Sequence, residues 1–135
     1  MPNSYTLIEL PLNTNVSVTC TSNSAAEQRV TITQADGTTN TATGSGENVP
    51  MQGGAFSIQT PQSAPNDTYT VTVDIESNAS GSWSPSQVFN GGYFFLTYAL
   101  QLVVSEDSVD RDFNDAVVQF SWWKKPGTQQ QQQQG

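Results

Sequence analysis

Apolar and polar residues alternate one by one in several short stretches of this chain. Val16-Ser17-Val18-Thr19-Cys20, Val30-Thr31-Ile32-Thr33, Tyr69-Thr70-Val71-Thr72-Val73-Asp74-Ile75 and Leu100-Gln101-Leu102-Val103-Val104 each place apolar side chains on one face and polar ones on the other. The last of these belongs to a strand expected over Tyr98 to Val104, and one further strand is expected at Ala116 to Trp122. No long segment keeps a 3.6-residue apolar period, and Ala, Leu, Glu and Lys are nowhere concentrated. The pattern predicts an all-β fold, an antiparallel β-sandwich of Greek-key or jelly-roll type with about eight to nine strands. Asp36-Gly37 marks a hairpin, and Gly44-Ser45-Gly46 and Gly81-Ser82 read as loops. The β pattern stops at Pro126-Gly127, and Gln129 to Gln134 form a glutamine run. A polar tract of this kind buries too little apolar surface to offset its ordering entropy, so residues 126–135 are expected to be a disordered tail after one domain over 1–125.

Composition narrows the chemistry. With 135 residues the chain can bury a core without disulfides, and its one cysteine, Cys20, forms no internal bridge. Cys20 sits on a strand and is expected to be a small buried hydrophobe without redox function. There is no histidine, which excludes a zinc site of ordinary type and a His-based catalytic triad. A formal charge of -8 with four basic residues argues against nucleic acid as a partner. Neither a Sec-type leader nor an apolar run long enough to cross a bilayer is visible, Tyr93-Phe94-Phe95-Leu96 being the longest. The expectation is a soluble protein with no membrane insertion, cytoplasmic or exported by a non-classical route.

One segment concentrates the charge. Glu106-Asp107-Ser108-Val109-Asp110-Arg111-Asp112-Phe113-Asn114-Asp115 holds five of the twelve acidic side chains against a single Arg. Carboxylates this dense repel one another unless a cation neutralises them, and an all-oxygen set of Asp, Glu and Asn suits a hard cation, calcium before magnesium. Two calcium ions would halve the formal charge. The segment lies between two expected strands, so its side chains would be presented at one end of a rigid sandwich.

Two other readings of the segment fail. Asp110-x-Asp112-x-Asn114 matches the first ligand positions of an EF-hand, but Asp115 stands where that loop needs Gly, Ser121 where it needs Glu, and the flanks are strands. A glycosidase needs two carboxylates some ~5–10 Å apart across a cleft, whereas these crowd one short loop and would raise one another's pKa unless a metal held them ionised.

Two segments together resemble the LecB-like family of small bacterial lectins. The first is the acidic segment followed by Ala116-Val117-Val118. The second is Leu10-Pro11-Leu12-Asn13-Thr14 running through Val18-Thr19 to Asn23-Ser24, similar to that family's first strand and distal ligand loop. The resemblance implies a calcium-dependent lectin that binds fucose- or mannose-type sugars through two adjacent Ca²⁺ ions coordinating sugar hydroxyls. By the same resemblance, Glu106, Asp110, Asp112 and Asp115 ligate one calcium, Asp112 and Asp115 bridge to the second, and Asn23 and Asn114 complete its shell. Asp107 accepts a sugar hydroxyl, and Ser24-Ala25-Ala26 occupies the specificity triplet, in a form closer to fucose-preferring members. Sugar contacts are then implied for Ser24, Ala25, Asp107, Asp110, Asp112, Asn114 and Asp115, in a homo-oligomer, dimer or larger.

The chain departs from the family at several points. Family members end with a Gly whose terminal carboxylate ligates a calcium of the neighbouring subunit, whereas this chain continues past Lys125 through Pro126 to Gly135, so another group must replace that carboxylate. Ser108, Val109 and Phe113 replace the usual residues, and Arg111 adds a positive charge. Residues 44–92 carry no family motif. The competing reading is a structural calcium module of an adhesion-type protein that binds no sugar, and neither reading is an enzyme.

Trp122 and Trp123 are adjacent, so on a strand they face opposite sides. Trp122 is expected in the core. Trp123 is expected outward, with Tyr93 or Trp83 serving a subunit interface or a sugar contact, the interface being the preferred role.

Overall fold

The computed structural model describes residues 5–78, 81–106 and 115–124. Within them lie eight strands: β1 (Tyr5–Leu10), β2 (Asn15–Gln34), β3 (Thr39–Gln59), β4 (Tyr69–Asn78), β5 (Ser84–Pro85), β6 (Gln87–Phe95), β7 (Tyr98–Glu106) and β8 (Ala116–Trp123). All pairings are antiparallel. The one helical piece among the described residues is a 3₁₀ turn at Pro65–Asp67. The all-β sandwich expected from the alternation is therefore the fold observed.

Two long strands organise it. The first half of β2 pairs with β8 through Ser17↔Ser121 to Ser22↔Ala116, and its second half pairs with β4 through Glu27↔Asn78 to Gln34↔Val71. Strand β3 follows β2 along its whole length, with register shifts between Thr19 and Thr21, Ser22 and Asn23, and Ser24 and Gln28. These irregularities let β2 and β3 pass from one layer to the other, because bulges bend a strand and sharpen its twist. One layer runs β1-β4-β2-β3, and the other runs β3-β2-β8-β7-β6. At the open side, Asn90 of β6 donates through Nδ2 to Thr6 Oγ1 of β1 at 2.5 Å, bringing the two edges together.

Two expectations need correction here. Gly44-Ser45-Gly46 is not a loop but part of β3, because residues 44 and 46 pair with Gln28 and Ser24 of β2 on either side of a register shift. Likewise Val16–Cys20 and Val30–Thr33 are not separate strands but the two ends of β2. The polar stretch between them breaks the alternation yet keeps its pairing to β3. The Asp36-Gly37 hairpin is present as expected. The Gln34 N–H donates to the Thr38 carbonyl at 2.8 Å, and Gly37 takes a φ of 93° that favours glycine.

The core follows the alternation closely. Tyr69, Val71, Val73 and Ile75 of β4 are buried, and they pack with Val30 and Ile32 of β2, Ile8 and Leu10 of β1, and Val16, Val18, Val103, Val118 and Phe120 of the other layer. Trp122 is in the core and Trp123 is 67% exposed, as their adjacency in a strand requires. Cys20 is buried and free, and burial pushes its thiol pKa up to about 12. The expected tail, residues 126–135, lies outside the described residues.

Candidate functional site

Both long strands change layer at the same end of the sandwich, and four other elements reach that end. Strand β7 finishes there at Glu106, β8 begins there at Ala116, β4 finishes at Asn78, and β6 begins with Gln87, which pairs with Glu106. Antiparallel pairing produces this gathering, since Ser22↔Ala116, Glu27↔Asn78 and Gln87↔Glu106 all sit at the corresponding strand ends. The acidic segment opens and closes on this rim.

The rim holds the described part of the expected site. Glu106 is 1% exposed and Asp115 3% exposed, so the two carboxylates that bound the segment are taken out of water. Asp115 is fixed through its main chain: its N–H donates to the Ser105 carbonyl at 3.0 Å, and its carbonyl accepts from the Asn23 N–H at 2.9 Å. The Ala116 N–H donates to Ser105 Oγ at 3.0 Å. Asn23 thereby joins β2 to the end of the acidic segment although 92 positions separate the two residues in sequence.

The Asn23 side chain is held as well. Its Oδ1 accepts from the Asn48 N–H at 2.8 Å, and Asn48 has a φ of 56°, a left-handed conformation that asparagine tolerates better than most residues. Next to it, Ser24 Oγ accepts from the Ala26 N–H at 3.1 Å, closing a small turn in the register shift between Ser24 and Gln28. Ala25 at the crest is exposed. The family resemblance implied a ligand loop at Asn23 and Ser24. They are instead bulged residues of a continuous strand, opposite Glu47 and Gly46.

Of the expected site residues, Asn23, Ser24, Ala25, Glu106 and Asp115 thus come together on one rim. Asp107, Asp110, Asp112 and Asn114 lie outside the described residues, as do Ser108, Val109, Arg111 and Phe113. Among the described residues no group of three or more His, Cys, Asp or Glu side chains could hold a metal ion. The donors present nonetheless fit calcium. All are oxygens, two belong to buried carboxylates, and the Asn23 amide oxygen keeps a second lone pair beyond the one used by Asn48.

Sequence reasoning missed Ser105 and Asn48, which position Asp115 and Asn23. The Gly46-Glu47-Asn48 order is a turn signal that could have pointed to Asn48. Nothing in the sequence marks Ser105.

The sequence profile of the fucose-binding lectin II (PA-IIL) family matches residues 8–124. The chain belongs to that family. It is therefore a carbohydrate-binding lectin and not an enzyme, and the match takes in β2, the rim and the acidic segment together. Among solved structures, this lectin is similar to Chromobacterium violaceum lectin CV2L in complex with α-methyl-fucoside, at 26% identity over 86% of this chain and 94% of that one, with a TM-score of 0.65. It shares its fold with the Ralstonia solanacearum high-affinity mannose-binding lectin, at 23% identity over 86% and 94% of the two chains and a TM-score of 0.64. The same holds for the C-terminal domain of BC2L-C lectin from Burkholderia cenocepacia, at 21% identity over 90% and 97% and a TM-score of 0.61. No curated protein sequence gives a significant match. Among the described residues no helix is long and apolar enough to cross a membrane.

Proposed function

We propose that this lectin binds fucose- or mannose-type sugars through two adjacent calcium ions, with preference for fucose. Glu106, Asp110, Asp112 and Asp115 would hold the first ion, Asp112 and Asp115 would also reach the second, and Asn23 and Asn114 would complete it. Calcium supplies a divalent centre on which vicinal sugar hydroxyls replace water. Asp107 would accept a hydroxyl proton in a charge-assisted bond stronger than a neutral one. Ser24 and Ala25 would meet the sugar from the β2 side.

The observation that carries this reading is the hydrogen bond from the Asn23 N–H to the Asp115 carbonyl. It brings the Asn23-Ser24-Ala25 bulge against Asp115, the last residue of the acidic segment, which supports a ligand shared by the two. The gathering of Glu106, Asp115 and Asn23 on one rim supports the metal, because an all-oxygen donor set suits calcium. The CV2L complex with α-methyl-fucoside and the Ser24-Ala25-Ala26 triplet support the sugar.

The lectin domain is taken as residues 1–125, working as a soluble homo-oligomer whose linked sites raise avidity. Tyr93, Phe94, Phe95, Leu96 and Trp123 are 61–82% exposed at the end of the sandwich away from the rim, a surface suited to subunit contact.

Isothermal calorimetry of L-fucose and methyl α-mannoside, in calcium and then in chelator, tests the proposal. Heat that appears only in calcium supports it. Equal heat in chelator, or no heat despite measured calcium binding, overturns it.

A further inference from the structure

Beside the rim, outside the residues assigned to calcium and to the first sugar, three side chains form a compact group. Arg29 of β2 stands directly opposite Glu76 of β4, and Glu76 in turn stands opposite Pro85 of β5. Arg29 donates to Glu76 Oε1 twice, through Nε at 3.0 Å and Nη2 at 2.6 Å. The same guanidinium lies 4.2 Å from the ring centroid of Trp83. Both charged side chains are 33% exposed, and Trp83 is partly exposed.

The way the bonds are used matters. Both Arg29 donors converge on one carboxylate oxygen, Glu76 Oε1. The pair is one-third exposed, so polar groups that donate and accept stand at the solvent boundary next to an indole ring whose orientation the guanidinium helps to fix. A sugar ring presents the complementary surface, with a patch of C–H groups for the aromatic face and hydroxyls that both donate and accept.

Position ties this group to the site already described. Arg29 lies four residues beyond Ala25, and Trp83 lies four residues before Gln87, the strand partner of Glu106. At about 3.3 Å per residue, Arg29 stands at most about 13 Å along β2 from Ala25. That separation suits the unit linked to a sugar held at Ser24 and Ala25. The net charge of -8 disfavours acidic glycans near this surface.

We propose that Trp83, Arg29 and Glu76 form a second subsite that recognises the sugar unit linked to the calcium-bound one in a neutral oligosaccharide. The inference rests on the proposed sugar site at the rim. It makes the protein a reader of a linkage as well as of a terminal sugar, with Trp83 as the stacking surface and the Arg29–Glu76 pair as the polar contact.

The test compares methyl α-L-fucoside and methyl α-mannoside with disaccharides that carry fucose or mannose at the non-reducing end in different linkages, by calorimetry in calcium. The full chain is expected to bind at least one disaccharide about tenfold more tightly than the matching methyl glycoside. Trp83→Ala should abolish that advantage and leave methyl glycoside binding and the thermal midpoint unchanged, while Trp83→Tyr should restore part of it. If no disaccharide exceeds its methyl glycoside, or if Trp83→Ala keeps the advantage, the subsite is overturned and the rim site stands. If neither methyl glycoside binds, the rim reading fails and the subsite with it.

Discussion

The main-chain nitrogen of Asn23 donates to the main-chain carbonyl of Asp115 at 2.9 Å, joining the bulge of β2 to the end of the acidic segment. Because the contact uses backbone atoms, it leaves both side chains to other partners. Asn23 turns its amide oxygen to the Asn48 N–H, and the Asp115 carboxylate is buried at the rim. Two distant segments are therefore held in register by groups that substitution of either side chain would not remove.

Asn23→Ala is accordingly expected to keep the fold and lose function. The main-chain bond to Asp115 remains, while the Asn48 N–H loses its acceptor, at a cost of about 1 kcal/mol for an exposed bond of this type. Calcium titration should show weaker binding of one ion, and calorimetry should show no fucose heat. Unchanged calcium affinity together with full sugar binding would remove Asn23 from the ligand set.

Sugar should protect the fold only when calcium is present. A ligand that binds the native state alone raises the midpoint by mass action, and at about 100 times its dissociation constant the gain is about 2.7 kcal/mol. Differential scanning calorimetry with and without chelator would read it. Protection of equal size in chelator would contradict calcium-mediated binding.

Gly54→Ala should destabilise the domain far from the proposed ligands. A Cβ at this position would lie 2.8 Å from Cys20 Cβ and 3.0 Å from the Met51 carbonyl oxygen, and Cys20 and Met51 are both buried. Overpacking of this kind typically costs about 1–3 kcal/mol. Urea unfolding measures it, and a midpoint equal to the parent protein would show that β3 shifts to make room.

Cys20 predicts how stability responds to alkali. Its thiol is raised by burial from 9.0 to about 12 in the folded chain, so between those values the unfolded chain releases a proton that the folded chain keeps. Unfolding then becomes easier as pH climbs from 9 towards 12, and this contribution is fully retained below 9. Cys20→Ala should flatten that part of the pH profile in chemical denaturation. A native thiol that reacts rapidly with iodoacetamide at pH 8 would disprove its burial.

How far the sequence reached can be read from single residues. Tyr69, Val71, Val73 and Ile75 announced β4, because a two-residue period puts every second side chain on the same face and all four are buried. Trp122 and Trp123 were separable into core and surface by the same rule. Residues 21–29 were not legible as strand, since bulges shift the period and the side chains there are polar even where they are buried, as at Ser22 and Gln28. The Arg29–Trp83 contact, joining β2 to the residue before β5, left no trace in the sequence.

By itself, then, the sequence determined the all-β class, the core faces and the oxygen-donor chemistry of the acidic segment. Each of these follows from local residue type and short-range spacing. Only the tertiary structure decided that β2 and β3 are single strands crossing between layers, that a main-chain bond joins Asn23 to Asp115, and that Trp83 stands beside the same rim. Those relationships depend on which strands pair and in which register, and pairing is set by the burial of whole faces across the molecule, which no window of neighbouring residues contains.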